Sequence, residues 1–309
     1  MTTRLTSLYL EQLARILDAD IHDLQSFGTL DDAILEDLIE RTSAALFDAQ
    51  ADVFKTISML ASFLPPSAAA AVVPKVVPAP VAGFAAGTLG VDHPDKVVAV
   101  ISKIRPGYLA DAAPYIDPRT IRLLAPTVPP KILLPVADEL LRRSDYITAA
   151  SFLEFATPTH IDYFATHIHD DAAILRTAAN TRSDSRLGDI VRAVAPARMH
   201  AIIDTVMVGD PDLQITGICV LSRLESDLRS TLAGPALDRV ANDQLSDLVV
   251  TVMDCGALEE FVVVLSALDT AAFNRVATLP ILDRSRLNTW RAALTPQLRD
   301  RFDLARAAA

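Results

Sequence analysis

The residues best equipped for chemistry in this chain are crowded into one stretch, His160-Ile161-Asp162-Tyr163-Phe164-Ala165-Thr166-His167-Ile168-His169-Asp170-Asp171. Imidazole and carboxylate groups together suit a divalent transition metal. His160 and His167 are seven residues apart and so share a helix face. His169, Asp170 and Asp171 fall at the next predicted helix start, where carboxylates complement the helix dipole. A metal site would therefore draw on His160, His167, His169, Asp170 and Asp171. Against it, His167 and His169 point to different sides of a helix, and neither a His-x-x-x-His nor a Glu-x-x-His ligand pair is present. The plainer reading is a helix end with capping acids and surface histidines.

Other reactive groups are sparse. Cys255 lies between Asp254 and Gly256 at a predicted helix start, where backbone N–H groups favour a thiolate. No base stands beside it, and the Asp254 carboxylate opposes ionisation of the thiol. Cys219, within Ile218-Cys219-Val220-Leu221, reads as core, and two cysteines supply neither a disulfide framework nor a zinc spacing. The chain has no Gly-x-Ser-x-Gly elbow, phosphate-binding loop, dinucleotide fingerprint or His-Glu-x-x-His motif, and only ten glycines. No cofactor is predicted, and the balance leans away from an enzyme.

The elements that would position these groups are legible in a cadence of helix-start signals. A proline, or an Asp, Ser or Thr in the capping role, precedes an apolar pair about every 13 residues from Pro66 to Pro296. The series includes Pro80, Pro94, Pro106, Pro118, Pro130, Asp145, Pro158, Asp171, Asp184, Pro196, Pro211, Ser226, Pro235, Asp243, Gly256, Thr270 and Asp283. Proline suits the first helical position, which has no intrahelical N–H bond to lose. Each step holds a helix of two to three turns, too short to be stable alone in water, so neighbours must stack. The cadence predicts an all-α chain with more than half its residues helical. It reads as a right-handed superhelix, an α-solenoid of short helical hairpins. The competing architecture is a compact all-α domain with evenly spaced short helices.

Residues 1–54 depart from the cadence and are predicted to form a separate helical pair, a cap or dimerisation arm ahead of a solenoid over 55–309. Leu5, Leu8, Tyr9, Leu13, Ile16 and Leu17 form one apolar stripe, and Ile34, Leu35, Leu38, Ile39 and Leu46 a second. Gly28 is expected to end the first helix and Thr29 to cap the next. This leader has net charge −8, residues 96–143 have net charge +4, and the whole chain −11. The two segments are expected to attract each other, within or between copies. The acidic balance, with no basic stripe, counts against nucleic acid as a partner.

From Thr56 to Val91 only Lys75 is charged, yet five prolines cut the segment too short for a membrane span. Its apolar surface must meet the protein, a partner or a greasy ligand, and Phe84, Phe63 and Leu64 are the residues expected to line such a groove. The N-terminus lacks the pattern of a signal peptide, which with two unpaired cysteines predicts a cytoplasmic protein.

Short helices introduced by Pro or Asp, as in Ile116-Asp117-Pro118-Arg119-Thr120-Ile121-Arg122-Leu123-Leu124 and Ala195-Pro196-Ala197-Arg198-Met199-His200-Ala201-Ile202-Ile203, resemble the N-terminal superhelical domain of MgtE-type magnesium transporters. The rhythm is also similar to armadillo and HEAT-like helical repeats and to flagellar motor switch proteins. The resemblance covers about residues 57–305 and implies the fold class and a role in protein contacts or regulation, but not transport. The leading functional expectation is a non-enzymatic helical-repeat scaffold binding a protein partner or itself. Its alternatives are a carrier or sensor of an apolar small molecule held between helices, and a metal-binding protein or enzyme using the His160–Asp171 cluster.

Overall fold

The computed structural model describes residues 4–61, 65–92, 94–282 and 284–308. The chain is all-α: 79% is helical, with no strand among the described residues. It divides into two compact units, Met1–His167 and Ile168–Ala309. The first holds α1 (Arg4–Leu17), a 3-10 segment (Ile21–Thr29), α2 (Asp32–Ala61), α3 (Pro66–Val76), α4 (Ala79–Asp92), α5 (Pro94–Ile101), α6 (Pro106–Ala112), α7 (Pro118–Leu124), α8 (Pro130–Arg142), α9 (Tyr146–Leu153) and α10 (Pro158–His167). A 3-10 turn, Ala113–Tyr115, follows α6. The second holds α11 (Asp171–Ala179), α12 (Asp184–Ala193), α13 (Pro196–Met207), α14 (Pro211–Arg223), α15 (Ser226–Asp238), α16 (Asn242–Asp254), α17 (Leu258–Ser266), α18 (Thr270–Ala277), α19 (Arg284–Ala293) and α20 (Pro296–Ala307).

Most of the start signals do start helices. Pro66, Pro106, Pro118, Pro130, Pro196, Pro211 and Pro296 occupy the first turn of their helices. Carboxylates close the same turn by accepting backbone N–H bonds: Asp117 from Arg119 (2.8 Å), Asp170 from Ala173 (2.9 Å), Asp210 from Leu213 (2.8 Å) and Asp269 from Ala272 (2.8 Å). Each satisfies a donor that the helix leaves without an internal partner.

Two signals have other tasks. Pro235 lies inside α15, so the cadence breaks there because one helix runs through it. Gly256 does not start α17; it ends α16 with φ +73°, a conformation glycine adopts without a Cβ clash. Asp18 and Ser144 take the same left-handed conformation. At all three ends the chain closes with a bond five residues back: Ala19 N to Ala14 O (2.9 Å), Asp145 N to Leu140 O (2.9 Å) and Ala257 N to Val252 O (3.0 Å). Asp283 lies outside the described residues.

The start-position assignment predicts that Pro196→Ala changes stability by no more than about 1 kcal/mol, because proline there acts mainly on the unfolded chain. Ile202→Pro, inside α13 at a buried position, should cost about 3 kcal/mol or more. Urea unfolding of both variants checks the pair, and equal losses would remove Pro196 from its helix-start role.

Each unit has a central helix. In the first, α4 packs chiefly against α2, α5, α6 and α7. This is possible because Gly83 and Gly90, seven apart on one face, admit neighbours at backbone distance: a Cβ on Gly83 would stand 2.4 Å from the Ala112 carbonyl oxygen, and one on Gly90 2.7 Å from Thr120 Cγ2. In the second, α14 buries Leu213, Ile215, Thr216, Gly217, Ile218 and Val220, and packs against α11, α13, α15, α16 and α17. Trp290 and Phe302 are buried in the C-terminal core, and the Trp290 ring meets Phe261 edge-on at 5.9 Å.

The expected boundary after residue 54 falls inside α2, which continues to Ala61 and packs against α4 within the first unit; α1, the 3-10 segment and the start of α2 share a core of Tyr9, Leu10, Leu13, Ala14, Leu24, Leu35 and Ile39. Three residues of the expected stripes, Leu17, Ile34 and Leu46, are exposed instead. The 14-residue α1 covers only part of the 30-residue α2, and Ile34 lies about 100° around the helix from the buried Leu35. Gly28 falls within the 3-10 segment. Asp31 rather than Thr29 serves the start of α2, accepting from Ala33 N at 2.9 Å, while Thr29 Oγ1 donates to Ser26 O.

Candidate functional site

The histidine stretch is taken up by folding. His160 is buried in α10, with Nε2 bonded to the Val128 carbonyl (2.8 Å) and Nδ1 to Thr157 Oγ1 (2.5 Å). Both ring nitrogens are thereby engaged, which leaves no lone pair for a metal. His167 stacks on Tyr163 with centroids 3.9 Å apart, and its Nδ1 meets the Tyr163 carbonyl. His169 is exposed. Asp170 caps α11, while Asp171 is ion-paired with Arg198 and accepts from Thr205 Oγ1 at 2.9 Å. Among the described residues no group of three or more His, Cys, Asp or Glu side chains is placed to hold a metal ion. The seven-residue spacing of His160 and His167 thus supplies one interior strut and one surface ring.

Neither cysteine is bonded to the other; Cys219 packs partly buried against the large core, and Cys255 is exposed at the C-terminal end of α16, not at a helix start. Of the three groove residues, Phe63 and Leu64 lie outside the described residues. Phe84 is half-buried in the central helix α4 and meets Tyr115 edge-on at 5.7 Å, so it belongs to the packing inside the first unit. Tyr108 ties the same segment down by donating from its hydroxyl to the Val77 carbonyl at 2.8 Å. Burial, and then the Asp111 charge, push the Tyr108 phenol above its ordinary range.

Within the described part of the apolar segment, α4 packs against several helices with Gly83 and Gly90 buried and Val81 exposed, whereas α3 contains no buried residue and leaves Val72 and Val76 in solvent.

The acidic leader and the basic middle do meet within one chain: Asp48 pairs with Arg119 at 2.9 Å, and Arg119 also holds Asp117. A second tie has the opposite polarity, Arg15 pairing with Asp145 and donating to Thr148 Oγ1 at 2.8 Å. Asp48 and Arg119 are both more than half exposed, so their pair stabilises weakly. Nearby, hydrogen bonds from Arg142 and Arg143 draw the Glu139 carboxyl down to about 2.

The polar groups that organise the molecule are arginines bound to helix ends. Arg223 donates to the carbonyls of Ala179 (3.0 Å), Thr181 (2.6 Å) and Arg182 (3.2 Å), and to Asp184 (2.7 Å). Arg275 takes the carbonyls of Leu237 (2.6 Å) and Val240 with Asn242 Oδ1, Arg198 takes Ile168, and Arg301 takes Leu268 and Asp269. In each case a helix reaches back to a corner 30–44 residues earlier or nearly so, where the last carbonyls of a helix have no internal donor.

A local version recurs at two corners. Arg229 and Arg299 each bond the carbonyls five and eight residues before them, those of Leu224 and Leu221 and of Leu294 and Arg291. With carbonyls rather than carboxylates around it, the Arg229 guanidinium is lowered by burial.

Sequence reasoning passed over these residues, although a signal was there: the chain has five lysines against 23 arginines, and none of the lysines follows Lys131. A planar guanidinium with five donors can bridge several carbonyls of one corner, which a compact ammonium cannot.

Among the described residues no helix is long and apolar enough to cross a membrane. Comparison with known protein families, curated proteins and solved structures gives no match for this chain.

Proposed function

We propose that this chain is a non-enzymatic α-solenoid scaffold, a right-handed superhelix of short helical hairpins that works in the cytoplasm by holding a protein partner or another copy of itself. The observation that carries the reading is the order of packing within each unit: helices lean chiefly on neighbours no more than three places away in the chain, and arginines fasten corners over the same interval. Chains built this way bury a continuous core between successive repeats and keep long helical faces for other molecules. A kinship with the superhelical domain of MgtE-type transporters or with HEAT-like repeats is part of this proposal and rests on the helix rhythm.

Native mass spectrometry of the protein isolated from its own cells tests the function. The expected result is an integer multiple of the chain mass, or the chain with a second polypeptide. A single chain carrying a few hundred daltons that organic solvent removes would overturn it in favour of a carrier of an apolar small molecule.

A further inference from the structure

Two segments of the first unit leave large apolar side chains in water, and their charges are opposite. In one, Leu17, Phe27 and Ile34 are 43%, 36% and 53% exposed, and residues 17–40 hold eight carboxylates with no Lys or Arg, one of them, Asp37, paired with Arg41 just beyond. In the other, Val72 and Val76 are 51% and 68% exposed, one turn apart on α3 and beside Lys75. The α3 helix packs chiefly on α5, and neither helix contains a buried residue. Residues 65–106 carry Lys75, Lys96, Lys103 and Arg105 against Asp92 and Asp95, a net positive segment in a chain of net charge −11. Eleven residues, nine of them Ala, Val or Pro, with one main partner are too few to hold a helix in water by themselves, so this face calls for a cover. Within one chain neither face covers the other, because both remain exposed.

We propose that the acidic apolar face around Phe27 and Ile34 of one copy docks on the basic aliphatic face around Val72 and Val76 of a second copy. This rests on the scaffold reading and names its partner. Either face meeting itself would set like charges against each other, whereas the two unlike faces attract and bury their apolar residues together. Such a contact is head-to-tail, so every copy retains one unused face of each kind and assembly continues past the dimer unless the rotation closes a ring.

The test is light scattering on the full chain, on Ile34→Lys and on Val76→Asp, at about 0.05 M and about 0.5 M salt, where screening differs severalfold. Both substitutions fall on exposed side chains, and matching circular dichroism spectra show that the variants are folded. The wild type is expected to grow beyond dimers with concentration and to associate at least tenfold more weakly at the higher salt. Each variant alone should be monomeric where the wild type associates. Mixed, they should form a 1:1 complex that grows no further, because Ile34→Lys keeps the basic face and Val76→Asp the acidic one.

An inert mixture of two monomeric variants overturns the proposal, and a single variant that associates like the wild type overturns it in favour of contact between like faces. A wild type that stays monomeric at low salt overturns it too, yet leaves the scaffold reading to the native mass, where a second polypeptide would still support it.

Discussion

Gly83→Ala should destabilise the protein by about 3 kcal/mol, the upper part of the range for forcing extra volume into a packed site. The added Cβ would sit 2.4 Å from the Ala112 carbonyl oxygen and 2.8 Å from Tyr115 Cβ. The first contact is with backbone, which cannot rotate away, so α4 must separate from α6 and the turn after it. Alanine's better helix propensity offsets up to about 1 kcal/mol of the loss. Gly234 supplies the opposite case in another helix, α15, where a Cβ would meet nothing within 4 Å. Gly234→Ala should therefore stabilise by about 0.5–1 kcal/mol. Urea unfolding midpoints of the two variants decide the matter: displacement in the same direction would show that propensity, not close approach, governs Gly83.

Arg223→Ala should lose about 2–4 kcal/mol, since it removes charge-assisted bonds and strands carbonyls of one corner away from any donor. The Arg223 side chain is only 11% exposed, so water replaces the lost donors poorly. Arg223→Lys should recover less than half of the loss, because one ammonium cannot reach three carbonyls and Asp184 together. Arg142→Ala, at a side chain 69% exposed and paired with Glu139, should stay within about 0.5 kcal/mol. Thermal unfolding of the three variants tests this. If lysine restored full stability, the guanidinium would be acting by charge alone, and the corner geometry would be incidental.

Such effects separate what is local in this chain from what is not. Helix starts were readable at Pro118, Pro196 and Asp210-Pro211 because a cap needs only its own next three residues and proline's φ is set by its ring. The all-α class followed from the same local chemistry. Pro235 and Gly256 were misread for a physical reason. A proline can sit inside a helix where the surrounding structure tolerates it, and a glycine near a boundary can end one helix as readily as precede the next.

The candidate site was decided by contacts between residues distant in sequence. Spacing along one helix put His160 and His167 on a shared face, but it could not show that the Val128 carbonyl, 32 residues away, receives His160 Nε2. Composition marked Thr56–Val91 as apolar, yet only packing distinguished α4, which meets several helices, from α3, which has one main partner and no buried residue. The excess of arginine over lysine was visible, but the partners of the ties over 30 residues and more were not: a helix exposes its last carbonyls by local geometry, but which guanidinium reaches them depends on how the chain has stacked. The sequence by itself determined where most helices begin and that they must lean on one another. The tertiary structure alone decided which polar groups were consumed in holding them together and which apolar side chains were left exposed.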